Sequence, residues 1–336
     1  AKDGAWSITL DAGGTQSTVR ARTLVNAGGP WGGAIAHDLV GGTGKGSVRL
    51  VRGSHIVTRK LYDHDKCYFF QGPDGRIIFA IPYEQDFTLI GTTDKDHHDP
   101  DAPPKCTDEE KSYLLEFANR FLETPVTEDD IVWTYSGVRP LYDDGANSAT
   151  AATREYVLKL DETAGAPIVN VFGGKITTHR RLAEAVLAKL GTVLVGTGAD
   201  WTAGVPLPGG DFPVDGAADL ARGLQGQFPF LDARWAGRLV RMYGTDAARM
   251  LDGARGRNDL GKDFGATITA RELDWAAEKE WARTGEDFLW RRSKLGLQLD
   301  DAGAARVDAY MRERLAGDPL RSSPPAPSTA RAPGGV

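Results

Sequence analysis

Four strand-like segments crowd into residues 49–94: RLVRGSHIVT (49–58), KCYFF (66–70), RIIFAIPY (76–83) and FTLIGTTD (87–94). The turns between them carry Gly, Asp and Pro, as in GPDG at 72–75. Such turns join neighbouring strands, so this region is expected to form an antiparallel sheet. DIVWTYSGVRPL (130–141) predicts a further strand ending in a loop, and REYVLKLD and PIVNVFGG predict two more. Thr107 to Phe121 reads as a helix, because Thr107 can cap it, Glu110 completes a capping-box pattern, and Leu114, Leu115 and Phe117 supply apolar contacts.

Ahead of that sheet, WSITL, the turn Ala12-Gly13-Gly14 and STVRA read as a hairpin. TLVNAGGPW follows as a short apolar strand running into glycines, and GGAIAHDLVGGTGKGS as a short helix and a loop. The chain thus opens inside a sheet, as a free-standing domain rarely does, and a preceding segment is expected. KITTHRRLAEAVLAKL (175–190) predicts a helix starting directly after two glycines. Composition shifts after about Gly204. The stretch from Ala217 to Leu315 is rich in Ala, Leu, Arg and Glu and carries Trp235, Trp275, Trp281 and Trp290. It reads as a small all-helical domain behind the linker VPLPGGDFPVDG. The tail, GDPLRSSPPAPSTARAPGGV, is low in complexity, cannot bury a core and is expected to be disordered.

Charge and composition narrow the function. The 336 residues carry a net charge of -6, with no concentrated basic face of the kind nucleic acid requires. No run approaches the roughly 18 apolar residues of a membrane span. The first residues, AKDGAWSITLDAGG, lack the basic and apolar regions of a signal peptide. Cys67 and Cys106 stand far apart and outside any CxxC, which fits a reduced cytoplasmic compartment.

Several motifs could carry chemistry. In FGGKITTHRRLAE a strand ends, two glycines turn, and a helix begins near Lys175. Free helix amides and the lysine charge suit an anion or the electron-rich edge of a flavin, although an ordinary strand-to-helix turn reads the same. Arg139 and Arg154 sit beside loop residues, where a guanidinium fork could face a cleft and grip phosphate or carboxylate; surface salt bridges are the alternative. His55 lies within an apolar strand, where it is either a base for an alcohol or a packed histidine. DKDHHDPD (94–101) resembles a metal cluster, but His97 and His98 would point to opposite sides of extended chain, so a solvated loop is expected. GGTGKGS (41–47) fails as a phosphate loop, since Gly46 follows Lys45 and Leu39 stands six residues before it. No GxGxxG occurs in the 336 residues, so a complete dinucleotide-binding Rossmann site is not encoded in them.

Taken together, LVNAGGPW (24–31), RGSHIV (52–57), FAIPY (79–83), IGTTD (90–94), DIVWTYSGVRPL, ATREY (152–156), FGGKITTHRRLAE (172–184), LPGG (207–210), DLGKDFG (259–265) and EWARTGEDFLWRRSKLGL (280–297) occur in one order. In this the chain resembles the aerobic, flavin-linked glycerol-3-phosphate dehydrogenases over roughly residues 20 to 300. The resemblance implies an α/β (α+β) fold: an incomplete FAD domain over 1–204, with 31–165 mainly a substrate-binding sheet and 166–192 a return to the FAD domain. A helical domain over 205–316 and the tail 317–336 would follow.

It also implies oxidation of sn-glycerol 3-phosphate to dihydroxyacetone phosphate, with hydride passing to FAD and electrons to a membrane quinone. His55 resembles the family's proposed general base, Arg139 the arginine beside flavin and substrate oxygen, and Arg154 a phosphate-holding arginine. Lys175, Ile176 and Thr177, after Gly173 and Gly174, match the run that contacts the flavin, with Lys175 also near the phosphate. Ala27 and Gly28 match a turn near FAD. His179 stands where many members have tyrosine, and the family's N-terminal strand–GxGxxG–helix has no counterpart, so this chain alone is expected to bind FAD poorly and have little activity. The resemblance further implies peripheral attachment on the cytoplasmic side of the inner membrane, and it leaves a homodimer open. WARTGEDFLWRRSKLGL could supply the membrane contact or form a core helix. Two other readings stay open: an oxidase passing electrons to oxygen, and a truncated non-catalytic paralogue acting as a binding module.

Overall fold

In the computed structural model the described residues are 3–12, 14–39, 48–72, 75–143 and 154–316. The expected loop at GGTGKGS, the tip of the GPDG turn, the first residues of ATREY and the tail from Gly317 lie outside them. The chain divides into two compact units, which part between Ala203 and Gly204.

The first unit opens with the hairpin β1 (Trp6–Ala12) and β2 (Thr15–Ala21), paired antiparallel along their length. Strand β3 (Leu24–Asn26) runs into a helical turn at Gly29–Trp31 and a short helix α1 (Gly32–Ala34). Next comes the main sheet, built on the long strand β4 (Val48–Arg59). Strands β5 (Tyr68–Gln71), β6 (Ile77–Tyr83), β7 (Phe87–Gly91) and β8 (Lys95–His97) follow in a meander, in the order β5-β6-β7-β4-β8. After helix α2 (Asp108–Asn119), strand β9 (Ile131–Tyr142) pairs with β4 from Val48 to Thr58. All these pairings are antiparallel, and short turns join the paired strands β5 to β6 and β6 to β7.

Because β9 covers one whole edge of β4, β7 and β8 divide the other. β7 pairs with His55–Arg59 and β8 with Leu50–Arg52. The three residues between them, Thr92 to Asp94, cross beside Gly53 and Ser54. The amide of Thr93 donates to the carbonyl of Ser54 at 3.4 Å, and the Ser54 amide donates to Thr93 Oγ1 at 3.0 Å.

Side chains alternate between the faces of a sheet. One face buries Ile56, Phe70, Ile78, Ala80 and Ile90 against Leu114, Phe117 and Ala118 of α2. The expected capping box of α2 forms: Thr107 Oγ1 accepts from the Glu110 amide, and the Glu110 carboxylate accepts from the Thr107 amide. Residues 51, 53, 55 and 57 of β4 point to the opposite face, so His55 stands on the side away from α2.

A second, three-stranded sheet joins β10 (Val157–Asp161), β11 (Ile168–Phe172) and β3, with β11 and β3 parallel. Helix α3 (His179–Leu190) packs Val186 and Leu190 on Val169 of that sheet. This α-helix begins at His179, with four residues between it and the glycine pair, rather than directly behind the pair. Lys175 is extended (φ -117°, ψ 146°), and Ile176–Thr178 form a tight turn closed by the Thr178 amide and hydroxyl on the Lys175 carbonyl. The local hydrogen bond of a threonine side chain competes with continuation of the helix at that point.

The second unit contains α4 (Ala217–Gln227), α5 (Ala233–Tyr243), α6 (Asp246–Met250), the two-stranded ribbon β12 (Asp263–Gly265) and β13 (Ile268–Thr269), α7 (Ala270–Lys279) and α8 (Asp301–Arg314). The ribbon interrupts an otherwise helical unit because Gly261, Gly265, Ala266 and Thr267 all have positive φ. Phe264, Leu273, Phe288 and Met311 fill one cluster, while Trp235, Leu239, Leu251 and Leu260 fill another. Phe288 is fully buried and Trp290 packs against the first cluster, so the segment 280–297 spends most of its aromatic surface on this core.

Candidate active site

The face of the main sheet away from α2 carries a row across five strands. Tyr135, His55, Gly91, Phe79 and Phe69 are successive register partners on β9, β4, β7, β6 and β5. The His55 imidazole lies on the Tyr135 ring, with centroids 4.7 Å apart and planes 7° apart. On its other side Gly91 makes room: a Cβ there would collide with Cδ2 of His55. Burial first, and the Arg139 charge second, push the imidazole down to about 4, so it is neutral near pH 7. Its Nδ1 is buried and has no hydrogen-bond partner among the described residues. A buried lone donor or acceptor is costly.

Arg139 sits four register pairs along on the same face, opposite Val51, and folds its guanidinium back over Gly53. A Cβ at Gly53 would collide with both terminal nitrogens. The guanidinium donates to Thr92 Oγ1 at 2.9 Å, to Asp94 Oδ1 at 3.0 Å and to the Thr93 carbonyl at 3.4 Å. Burial lowers its pKa, Asp94 opposes that and Arg154 adds to it; an arginine stays charged nonetheless. The other oxygen of Asp94 lies 3.7 Å from Arg154 Nη2. Arg139 and Arg154 therefore come together around Asp94, with His55 on the same sheet face as Arg139; the sequence offered Asp94 only as part of a possible metal cluster.

Behind this face, Thr93 turns the other way. Its hydroxyl donates to Glu110 Oε1 at 2.7 Å, and Arg52 lies 3.0 Å from Glu110 Oε2. Burial, the largest influence, raises the Glu110 pKa. The bonds from Thr107, Thr93 and Ser54, with the Arg52 charge, outweigh it and hold the carboxyl below its usual range. A buried carboxylate so satisfied anchors the crossing segment from α2.

The glycine turns lie at the ends of β3 and β11. These strands are parallel and in register at Asn26 and Asn170, so Ala27–Gly28 and Gly173–Gly174 leave the sheet at the same edge. Asn26 Nδ2 donates to Asn170 Oδ1 and to the Gly32 carbonyl, both at 2.8 Å, and the Gly28 amide donates to Asn26 Oδ1 at 3.2 Å. Both asparagines are buried. Polar residues inside the apolar runs LVN and IVNVF were the signal available for them. Gly173 and Gly174 have φ of 70° and 98°, conformations that strongly favour glycine. A Cβ on Gly173 would come within 2.9 Å of the Glu155 carbonyl, which ties this turn to the segment carrying Arg154. Lys175 and Thr177 are exposed, and Ile176 is 84% exposed. No contact joins the Lys175 side chain to His55 or either arginine among the described residues.

The two histidines of DKDHHDPD form no metal site: among the described residues no group of three or more potential ligands is arranged to hold a metal ion. His97 instead bonds the Ala102 carbonyl through Nε2.

The chain is similar to known proteins along most of its length. The family described as FAD dependent oxidoreductase matches residues 1–158, and the C-terminal domain of alpha-glycerophosphate oxidase matches residues 201–318. A glycerol-3-phosphate dehydrogenase of Pseudomonas aeruginosa is 41% identical over 311 residues, covering 92% of this chain and 60% of that protein. A D-erythritol 1-phosphate dehydrogenase of Brucella abortus is 38% identical over 307 residues, covering 90% and 61%. The chain thus spans about three-fifths of the length of these relatives. The crystal structure of glycerol-3-phosphate dehydrogenase from Bacillus halodurans complexed with FAD shares the fold, with a TM-score of 0.69 at 22% identity, over 93% of this chain and 65% of that one. The chain is thus similar over residues 1–158 to the FAD-dependent oxidoreductases, over residues 201–318 to the C-terminal domain of alpha-glycerophosphate oxidase, and over most of its length to the glycerol-3-phosphate dehydrogenases and their relatives.

Proposed function

We propose that this protein takes part in oxidising the secondary hydroxyl of a small polyol phosphate, with sn-glycerol 3-phosphate going to dihydroxyacetone phosphate. The observation that carries the reading is a neutral, buried imidazole with an unpartnered nitrogen on the same sheet face as Arg139, whose carboxylate partner Asp94 also meets Arg154. His55 accepts the hydroxyl proton. Arg139 steadies the oxygen as the carbonyl forms, and Arg154 with Lys175 holds the phosphate. FAD, when bound, supplies the acceptor for the hydride leaving carbon. The residues at the shared edge of β3 and β11 suit a flavin, since Ala27, Gly28, Gly173 and Gly174 offer backbone with little side chain, and Ile176 and Thr177 stand exposed beside them.

In this reading 31–165 mainly serves the substrate, 166–192 belongs to the flavin-binding part, and 205–316 is a separate helical domain. A membrane quinone takes the electrons, and the protein works at the membrane surface. Among the described residues no helix is long and apolar enough to cross a membrane, which suits a peripheral contact. Trp281, 75% exposed, is a candidate for that contact.

A second substrate is favoured by one observation: the Brucella protein named for D-erythritol 1-phosphate is almost as similar as the glycerol-3-phosphate dehydrogenase. The test is anaerobic mixing of the FAD-loaded protein with each phosphate ester, followed by flavin bleaching. Bleaching by sn-glycerol 3-phosphate supports the first reading; bleaching by the four-carbon ester alone replaces the substrate. No bleaching by either, in protein that holds flavin, removes the proposal. Peroxide released on admitting air would mark oxygen rather than quinone as the acceptor.

A further inference from the structure

Asp94 sits between two cations that hold it very differently. Arg139 has three acceptors on the protein, the Asp94 carboxylate at 3.0 Å, the Thr92 hydroxyl and the Thr93 carbonyl, and it lies in the open space over Gly53. Its side chain is 29% exposed. Arg154 is 42% exposed and, among the described residues, meets only the second Asp94 oxygen, at 3.7 Å. That distance is beyond a good hydrogen bond and within an ion pair. The position of Asp94 is itself fixed from behind, because its neighbour Thr93 is tied to Ser54 and to the buried Glu110.

We infer that Asp94 is the internal counter-ion of the anion site, holding Arg139 permanently in place and releasing Arg154 to the phosphate group of the substrate. The inference rests on the reading of this face as a phosphate-ester site. A phosphate dianion entering beside Arg154 competes with one carboxylate oxygen for the guanidinium. The stronger and better-shaped ligand wins, since a phosphate offers the fork two oxygens while Asp94 offers Arg154 one distant oxygen. Arg139 keeps its place throughout because three contacts, not one, define it. Asp94 is thus a positioning residue for Arg139 and a specificity residue for the charge of the ligand: it screens the pair in the empty site and disfavours weakly charged ligands that cannot displace it.

Two opposite consequences separate this role from a merely structural one. Removing the Asp94 charge frees Arg154, so anion binding should tighten; it also loosens Arg139, so turnover should fall. Damage to the fold would weaken both. The experiment is calorimetric titration of inorganic phosphate into the full chain and into the Asp94→Asn, Asp94→Ser and Arg154→Gln variants, at one pH and ionic strength. Asp94 is 26% exposed, so replacing it strands no deeply buried charge. Circular dichroism checks that each variant folds, and the serine variant serves if the asparagine one does not. Phosphate should bind the Asp94 variants about two- to fivefold more tightly, the range expected for breaking one partly exposed ion pair, and Arg154→Gln more weakly. Unchanged or weaker binding in both folded Asp94 variants, with Arg154→Gln still impaired, overturns the counter-ion role alone. Equal binding by wild type and Arg154→Gln overturns the phosphate-site reading beneath it. If neither Asp94 variant folds, Asp94 is structural and the inference is withdrawn.

Discussion

The imidazole of His55 lies flat on the phenol ring of Tyr135, an arrangement set by register, since the two residues face each other across β4 and β9. Stacking fixes the plane of the imidazole and so the direction in which its free nitrogen points. Tyr135→Phe keeps the ring and is expected to retain kcat/KM within about threefold. Tyr135→Val removes the platform and is expected to cost about a hundredfold, as small misplacements of a catalytic group do. Steady-state kinetics of the FAD-loaded protein on sn-glycerol 3-phosphate decides this, and full activity in the valine variant would show that the stack has no orienting role.

Two glycines should be as sensitive as the groups they accommodate. Alanine at Gly91 would strike the His55 ring, and alanine at Gly53 the Arg139 guanidinium. Neither glycine has a positive φ, so the backbone itself tolerates alanine, and the cost falls on the displaced side chain. Each single variant is expected to lose about a hundredfold in kcat/KM while its melting temperature changes by only a few degrees. Thermal unfolding together with kinetics checks both halves. An equal loss of stability and activity would mean that the sheet, rather than the site, had been disturbed.

Much of this architecture was legible in the sequence for a simple reason. Short Gly, Asp and Pro turns between apolar runs permit little but an antiparallel meander, and that sheet forms. The capping box at Thr107 and Glu110 was equally readable because it is a local pattern. The start of α3 was not, since the threonine bonds that delay it to His179 compete closely with helix. His55, Arg139 and Arg154 were picked out by residue type and resemblance. Asp94, Tyr135, Gly53 and Gly91 were missed because their importance lies in cross-strand register, which depends on how β7 and β8 divide one edge of β4. Lys175 was expected within the same constellation, and its side chain is exposed without a contact to the other three among the described residues.

The second unit offers a stability test independent of the site. Arg238 and Glu272 form a bidentate pair at 2.6 and 2.8 Å, with side chains 7% and 1% exposed. Tyr243 donates to the same carboxylate at 2.9 Å, and Arg238 also donates to the hydroxyl and carbonyl of Thr267. Glu272→Ala leaves a buried guanidinium without its counter-charge and is expected to destabilise the unit by about 3–5 kcal/mol. Replacing both partners with apolar residues of similar volume should cost much less, because no charge is then stranded. Urea unfolding of the single and double variants measures the difference. A single variant within about 1 kcal/mol of wild type would show that the pair contributes little.

His55 also gives the first unit a pH dependence whose sign is fixed. In the unfolded chain a histidine takes up its proton near pH 6.5, whereas burial and the Arg139 charge hold the folded imidazole at about 4. Between those values the unfolded state binds more protons, so stability rises with pH. The contribution is fully present above about 6.5 and is lost as the pH falls toward 4, with a ceiling of about 3 kcal/mol. Urea unfolding of wild type at pH 7 and pH 4.5 should therefore show a larger loss than the same pair of measurements on His55→Gln, which has no imidazole to protonate. Phosphate should soften the effect: an anion beside Arg139 offsets the charge that depresses the imidazole, and the His55 proton resonance should titrate at higher pH with phosphate present than without it. A titration midpoint near 6.5 in the free protein would mean that the imidazole is neither as buried nor as close to Arg139 as the fold requires, and its assignment as the neutral base would fall with it.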